Sequence, residues 1–447
     1  MVKVSLISKS SENALNLISH SAKVCYSPEL PKIGNLLDVE NQLFNTGHHT
    51  TLQHNYYTFS IDEISISTTT FGLNFYHPFY NADQRSGRYS KMYVSPDYDE
   101  IKNKILTYFP DAPIEKIIDF IKKGRNIYKD NMKEATNIAF KLLKEERPFA
   151  KIDETMANKI AQEQMRLFIS TIMDTGLNYT INLSALSAFY ATAWTPELKD
   201  VVEQMKNEVL KVEPELAFVF KNKSNDIWYP ELDASNCGVY KKPQLHSIKV
   251  SYYEELEYKF DGGYVGATDI KQFSPKFMNN NLFSITEEIE VSLVTMAQDQ
   301  RHRTLKRSEP KLSGNFYLAP IPALLGLEEQ SLEYMKEYAD LYNELDKSLA
   351  VMLAPYGVMA KYKKVGNINA ILHEQAKRLC WTAQEEIYNL SRDVQTKLMT
   401  DFDKKEIQEL AKVLYPACYN GECIEGKRYC GRDIKVCKSG ITPERKV

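Results

Sequence analysis

The chain has 447 residues, which exceeds the core of one ordinary domain and predicts two. With 43% hydrophobic and 26% charged residues, the composition is typical of a folded globular protein and excludes a disordered chain. The formal net charge of −3 argues against a general nucleic-acid or membrane-surface binder, because such proteins usually carry a basic surplus.

The N-terminal segment predicts a strand followed by a helix. "VKVSLIS" (2–8) is the strand and "SENALNLISHSAKVCY" (11–26) the helix, with Ser10 or Ser11 as its N-cap. The segment lacks the apolar core of a signal peptide, and nowhere does an apolar run approach the roughly 20 residues that span a bilayer. We therefore expect a cytoplasmic protein. The alternating "NYYTFSIDEISIS" (55–67) predicts the next strand.

Helical patterns follow, and then the element order repeats. A segment rich in Asn, Ser, Pro and Gly interrupts the periodicity around 222–245, after which "HSIKVSYYEELEYKF" and "LFSITEEIEVSLVTMAQDQRHR" predict new strand and helix starts. The sequence thus predicts an α+β fold with two tandem domains, each a small sheet with long helices. The predicted helices are 114–145, 153–175, 181–212, 327–354 and 368–398; the predicted domains are 1–223 and 246–400, with a linker at 224–245 and a Cys-rich tail at 401–447.

The stretch "QRSGRY" is a candidate phosphate-binding loop. Arg85 and Arg88 flank the hydroxyl of Ser86, and arginine forks give charge-assisted, bidentate hydrogen bonds to phosphate. Gly87 allows a close approach of the backbone. The alternative is an ordinary solvated turn.

Several motifs of the first half resemble those of the flavin-dependent thymidylate synthases. That family carries Arg-His-Arg, seven residues and then Ser-x-Arg, preceded by a Gly-His-His…His stretch. Here "SAKVCYS" (21–27) and "GHHTTLQH" (47–54) match, and Ser86 and Arg88 have the family spacing. His77 occupies the middle of the Arg-His-Arg position, but Tyr76 and Pro78 replace the two arginines.

A second block of the first half resembles the family's Glu-x-x-Arg helix and the asparagine sixteen residues beyond it. Arg166 in "EQMRLFIS" and Asn182 in "NYTINLSAL" fit that interval. Two family arginines that follow the asparagine are replaced by Ser184 and Ala193.

The second half resembles the same family and keeps other parts of its pattern. "QRHRTLKRS" supplies the Arg-His-Arg motif, but Lys311 and Ser313 stand at the Ser-x-Arg positions. "NINAILHEQAKRLCWTAQEEI" (367–387) resembles the family's Asn…His…Arg-Leu-Cys-x-x-Ala-Gln-x-Glu-Ile helix, with Asn367 and Arg378 eleven apart. Val351 replaces the arginine of the Glu-x-x-Arg motif.

These losses are complementary, and the resemblance implies a composite site shared by the two repeats. It implies reductive methylation of dUMP to dTMP with FAD, methylenetetrahydrofolate and NADPH, in which Arg378 stabilises charge on the pyrimidine. The substrate would also contact Gln84, Arg85, Ser86, Arg88 and Arg166, and the candidates for flavin are His54, Asn182, Arg301, His302, Arg303, Asn367 and His373.

The last thirty residues hold four cysteines: Cys418, Cys423, Cys430 and Cys437. Their spacing lacks the Cys-x-x-Cys pair of most zinc ribbons. A structural zinc, an unliganded tail and two disulfides all remain open.

The partners expected from these features are small molecules, with neither nucleic acid nor membrane. A homodimer would imitate the homotetramer of the family. Two other hypotheses remain: a relative that acts on another pyrimidine nucleotide or binds flavin or nucleotide without turnover, and an interaction protein whose Cys-rich tail recruits a partner.

Overall fold

The computed structural model describes residues 1–75, 80–87, 96–221, 223, 225, 227–262, 270–420, 423, 425–426, 429–433 and 442–447. The chain folds into two compact units, each built from several segments. The first unit comprises Met1–Ile118, Thr171–Tyr229 and Leu345–Ala354, and the second comprises Asp119–Ser170, Pro230–Glu344 and Pro355–Val447.

Ten strands and fourteen α-helices are found in the described part of the chain. The strands are β1 Lys3–Lys9, β2 Tyr56–Ser65, β3 Tyr80–Gln84, β4 Asp174–Asn182, β5 Leu232–Tyr240, β6 Gln244–Ser251, β7 Ser284–Ser292, β8 Lys306–Arg307, β9 Lys311–Tyr317 and β10 Val358–Asn367. The helices are α1 Ala14–Val24, α2 Ile66–Thr68, α3 Tyr98–Tyr108, α4 Ile114–Glu146, α5 Glu154–Met165, α6 Leu183–Thr192, α7 Pro196–Val212, α8 Leu293–Asp299, α9 Pro320–Leu324, α10 Glu328–Glu344, α11 Lys347–Met352, α12 Ile368–Arg378, α13 Glu385–Thr400 and α14 Lys405–Val413.

Short 3₁₀ and π turns join these elements. The 3₁₀ turns are His49–His54, Arg166–Phe168, Pro214–Phe220, Ile270–Phe273, Pro275–Leu282 and Ala417–Asn420, and the π turns are Glu40–Phe44 and Thr69–Leu73.

The first unit is organised around a four-stranded antiparallel sheet with the order β1-β2-β4-β3. Strand β2 alternates as its sequence predicts: Tyr57, Phe59 and Ile61 are buried, whereas the residues between them are more exposed. Apolar side chains of α7, including Leu198 and Val202, join them in one core. Helix α7 packs on the sheet because its apolar residues recur at helical spacing.

The second unit contains a sheet with the order β5-β9-β10-β7-β6, and the short β8 pairs with β10. Strands β6, β7, β10 and β9 are antiparallel neighbours, whereas β5 runs parallel to β9. Helices α12, α13 and α14 contribute to its core together with the strands.

Both sheets pass into helices in the same way. The first residue of β2, Tyr56, pairs with Asn182 at the end of β4, and Ser284 of β7 pairs with Asn367 at the end of β10. Each asparagine then caps the helix that follows, since its side chain accepts a hydrogen bond from the backbone N–H three residues on.

A buried serine–glutamate pair also recurs. Ser65 ends β2 and caps α2, and its hydroxyl donates to Glu197 in the first turn of α7. Ser292 ends β7 and caps α8, and its hydroxyl donates to Glu386 in the first turn of α13. All four side chains are fully buried, so each pair fixes a strand end against a helix start inside its own unit.

Several predicted elements differ from the structure. The N-cap of α1 is Asn13 and not Ser10 or Ser11, because the Asn13 side chain accepts from the Asn16 N–H. The predicted helix 153–175 ends at Met165, and the chain enters β4 at Asp174, where Thr175 and Gly176 disfavour a helix.

Three longer helical predictions are interrupted in the structure. The span 181–212 divides before Pro196, which opens α7. The span 327–354 divides at Asp346, the N-cap of α11, and the span 368–398 divides at Leu379–Gln384. Strand β5 lies within the predicted linker 224–245, so that segment is not irregular throughout. The predicted domain boundaries stay a prediction. Among the described helices, none is both long and apolar enough for a membrane span.

Candidate functional site

Arg378 is the last residue of α12, and two hydrogen bonds within the second unit fix its guanidinium. Its Nε donates to Nε2 of His302 at 2.8 Å, and its Nη2 donates to the backbone oxygen of Gln298 at 2.5 Å. The side chain is half-buried. The capping of α12 by Asn367 therefore determines where the helix begins, and His302 and Gln298 determine where its final arginine points.

His302 acts here as a neutral acceptor. Its side chain is 9% exposed, and burial together with the neighbouring Arg378 charge places its pKa well below the ordinary value of 6.5. Because Nε2 accepts the hydrogen bond from Arg378, the ring proton resides on Nδ1. His302 thus supports Arg378, a contact that the sequence did not predict.

Arg166 lies in the same unit and is linked to Arg378 through Gln384 and Gln298. Its Nη2 donates to Oε1 of Gln384 at 2.8 Å, and Nε2 of Gln298 donates to that same oxygen at 2.8 Å. The Arg166 Nε donates to the backbone oxygen of Glu163 at 3.2 Å. Since the Gln298 carbonyl holds Arg378, a continuous chain of hydrogen bonds connects the two arginines.

The structure therefore brings together two arginines that the sequence assigned to different halves. Arg166 is 7% exposed and Gln384 is fully buried, so their hydrogen bond is shielded from water. Such charge-assisted bonds in a low-dielectric setting hold their geometry strongly.

A buried ion network lies behind His302. Lys364 contacts Glu374 at 2.8 Å and Glu287 at 3.0 Å, and Arg307 contacts Asp299 at 2.5 Å. Burial raises the pKa of Asp299, but Arg307 and Lys364 outweigh it and hold that pKa below the ordinary value. Burial raises the pKa of Glu374 to about 7. The network carries charge of both signs, and it reaches His302 because Nη1 of Arg307 donates to the backbone oxygen of His302 at 3.3 Å.

The described residues of the predicted phosphate-binding loop lie in the first unit, where Gln84 and Arg85 make side-chain contacts. The Gln84 amide donates to Thr69 at 3.2 Å, and Arg85 forms a half-exposed ion pair with Asp62 at 3.3 Å. Ser86 is half-buried and Gly87 is buried. Arg88, Tyr76, His77 and Pro78 lie outside the described residues.

The flavin candidates divide into two groups. Asn182 and Asn367 use their side-chain oxygens to cap helices, which gives each a structural role. His54 and Arg301 are exposed, whereas Arg303 and His373 are half-buried, and the rings of His302 and His373 are perpendicular with centroids 6.0 Å apart. Both units thus present cationic or aromatic nitrogen donors, but in different surroundings.

In the Cys-rich tail, Cys430 and Cys418 contact aromatic, apolar and arginine side chains. Cys430 is buried against Leu379, Trp381 and Tyr388, and the Cys418 sulfur accepts a hydrogen bond from Arg432 at 3.1 Å. All six described cysteines are free thiols. Within the described residues, no three His, Cys, Asp or Glu side chains are grouped so that they could hold a metal ion, and Cys437 lies outside those residues.

Sequence reasoning missed Gln298 and Gln384. Gln384 belongs to the Arg-Leu-Cys-x-x-Ala-Gln block, but the sequence predicts a continuous helix over 368–398 and no role for this glutamine. Its partner Arg166 is 218 residues away in sequence, so only the fold reveals the bond. The polar residues Gln375 and Glu385, which lie on either side of Arg378 in the sequence, are also buried.

The sequence of the first half matches a known family model. Residues 5–215 match the model described as thymidylate synthase complementing protein. A flavin-dependent thymidylate synthase of Clostridium tetani is 26% identical over 230 residues, which cover 48% of this chain and 85% of that relative. Residues 5–215 are therefore similar to the flavin-dependent thymidylate synthases. The match includes Arg166 and Asn182 and ends before the second half begins.

Solved structures with weaker likeness include two nucleotide-modifying enzymes. Thymidylate synthase X of Helicobacter pylori, crystallised with FAD and dUMP, is 14% identical, with a TM-score of 0.33 over 49% of this chain and 98% of that one. The UMP/dUMP methylase PolB of Streptomyces cacaoi, bound to 5-Br dUMP, is 17% identical, with a TM-score of 0.31 over 49% of this chain and 94% of that one. At these TM-scores the solved structures carry no argument, and the similarity to the family rests on the sequence match.

Proposed function

We propose that this protein is a flavin-dependent thymidylate synthase that converts dUMP to dTMP. The observation that carries the proposal is the set of hydrogen bonds that links Arg166 to Arg378 through Gln384 and Gln298, because it supports one site with a retained arginine from each half of the sequence. The match of residues 5–215 to the family model supports the same proposal.

The chemistry of a uridylate suits two fixed guanidiniums. Attack on the pyrimidine ring develops negative charge on it, and a preorganised cation at that position lowers the barrier by a few kcal/mol, roughly 2.7–4 for one well-placed donor. Arg378 is oriented for this role because His302 and Gln298 already satisfy its Nε and one Nη. Arg166 would bind the nucleotide beside it.

Gln84, Arg85, Ser86 and Arg88 are proposed as ligands of the phosphate on the strength of their motif. Arg85 is 48% exposed, and its ion pair with Asp62 is a surface pair of small net stability. An incoming phosphate dianion could therefore exchange with Asp62 at little cost.

FAD is the proposed cofactor, with NADPH and methylenetetrahydrofolate as co-substrates. The donor set fits the group: Arg301 and Arg303 suit a pyrophosphate, and the perpendicular rings of His302 and His373 suit an aromatic edge. Bound FAD would supply the hydride once reduced. This chain would bind it through those residues and His54.

We further infer that the chain arose by internal duplication. Both sheets share the order of four antiparallel strands, β1-β2-β4-β3 and β6-β7-β10-β9. Both carry the asparagine cap, and both carry the buried pair of Ser65 with Glu197 or Ser292 with Glu386. The two copies differ at the site, since the position of Arg378 in the second copy is held by Ala193 in the first.

The test is tritium release from 5-tritiated dUMP by the purified full-length protein supplied with FAD, NADPH and methylenetetrahydrofolate. A flavin absorbance spectrum, release of tritium and formation of dTMP are expected. Arg378→Ala should lose the release, whereas Lys377→Ala, its neighbour on α12, should retain it. Tritium release from 5-tritiated UMP but not from 5-tritiated dUMP would favour the alternative, a relative that acts on another pyrimidine nucleotide. A protein that neither binds flavin nor releases tritium would refute the proposal.

A further inference from the structure

The loop Leu379–Gln384 connects the two groups that define the site. Arg378 precedes it at the end of α12, and its last residue, Gln384, accepts the hydrogen bond of Arg166. A turn closed by the Ala383 N–H and the Cys380 oxygen at 2.9 Å shapes the loop. The distance between Arg378 and Gln384 is therefore set by the conformation of this loop.

Three buried arginines of the second unit contact this loop. Nη2 of Arg147 donates to the Trp381 oxygen at 3.2 Å, and Nη1 of Arg445 donates to the Ala383 oxygen at 2.9 Å. The guanidiniums of Arg432 and Arg445 lie 5.5 and 5.7 Å from the centre of the Trp381 ring. At most 4% of any of the three arginine side chains is exposed.

Two of these arginines, Arg432 and Arg445, come from the C-terminal tail. Side chains of Asn389 and Gln164 hold the segment Thr442–Val447. Asn389 exchanges two hydrogen bonds with the backbone of Arg445, at 2.8 and 3.0 Å. Gln164 lies two residues before Arg166, and its amide donates to the Lys446 backbone oxygen at 2.6 Å. The segment thus contacts the element that carries Arg166 and the loop that carries Gln384.

We propose that Arg445 is a positioning residue, and that the segment Thr442–Val447 sets the spacing of Arg166 and Arg378. A buried guanidinium is costly to desolvate, so its retention here is explained by the hydrogen bond to Ala383 and by its stacking on Trp381 and Tyr388. Because lysine has no planar fork, it cannot reproduce both contacts.

This inference rests on the proposed function only for its effect on turnover. The test compares Arg445→Met, Arg445→Lys and the control Lys446→Met, which removes an exposed charge from the neighbouring position. Amide hydrogen exchange is measured across residues 379–384 in the full-length protein, and kcat and KM are measured by tritium release.

Arg445→Met should speed amide exchange in the loop at least tenfold and lower kcat by about tenfold, with flavin content and KM for the folate close to those of the control. Arg445→Lys should fall between the two, which also keeps the test decisive if Arg445→Met does not fold. Exchange and kcat equal to those of Lys446→Met would overturn the inference. If the unaltered protein released no tritium, the proposed function would fail, and the exchange data would still decide the role of Arg445.

Discussion

Replacing Gln384 with leucine tests the hydrogen-bonded chain at its centre. The substitution keeps a side chain of similar length but removes the oxygen that accepts from both Arg166 and Gln298 at 2.8 Å. Gln384 is fully buried, so water cannot replace the lost acceptor.

The magnitude follows from the charge of the donor. A hydrogen bond to a charged group contributes roughly 1.5–3 kcal/mol, and a buried donor without a partner costs about as much. With about 2 kcal/mol assigned to the Arg166 bond, and about 1.4 kcal/mol for each factor of ten, kcat/KM should fall about 30-fold.

The assay is a double-mutant cycle on kcat/KM for dUMP with Gln384→Leu, Arg166→Met and the double variant. If Arg166 and Gln384 act through one bond, kcat/KM of the double variant should be close to that of the less active single variant. Circular dichroism and flavin content of each variant control for folding.

Additive losses would refute this reasoning. Two independent losses of about 30-fold would multiply to about 900-fold in the double variant. That outcome would mean that Arg166 and Gln384 serve the reaction separately, and that their contact does not organise the site.

Three further outcomes are expected. Burial and the neighbouring Glu163 and Glu386 raise the pKa of Glu385 to about 8. The stability that protonated Glu385 contributes is therefore fully present below pH 4.5 and is lost as the pH rises through 8. Glu385→Gln should raise Tm at pH 8 by a few degrees and change it little at pH 5. His302→Phe should lower kcat/KM about tenfold more than His302→Gln, because only glutamine offers Arg378 an acceptor; equal losses would contradict a positioning role. Glu197→Ala should lower the free energy of unfolding, measured in urea, by about 2–3 kcal/mol, because it leaves Ser65 in the core without its acceptor. The control Glu12→Ala, at an exposed position, should leave it unchanged.

The sequence predicted those elements whose pattern is local. The helix 114–145 is found at Ile114–Glu146, because its apolar residues repeat at helical spacing over many turns. Strand β2 was predicted by its alternation and is found at Tyr56–Ser65. Strand β5 was missed because Asn236 and Gly238 read as turn residues, and the strand forms only by pairing with the distant β9.

The retained arginines were predicted from motifs, but their surroundings were not. The 3.6-residue pattern of apolar side chains runs on past Arg378, so this pattern does not predict the break at Leu379–Gln384. That break depends on partners as distant as Arg147 and Arg445, which bind carbonyls of the loop. Buried hydrogen bonds between side chains have no periodicity, and only the tertiary fold determines them.

The most direct test of the central claim, that Arg166 and Arg378 serve one nucleotide, is a calorimetric titration with dUMP. The FAD-loaded protein is compared with Arg166→Met, Arg378→Met and the control Lys377→Met. Both arginine variants should bind dUMP at least about tenfold more weakly, since each loses a charge-assisted contact of roughly 1.5–3 kcal/mol, and the control should bind normally. Unchanged affinity in either arginine variant would contradict the claim.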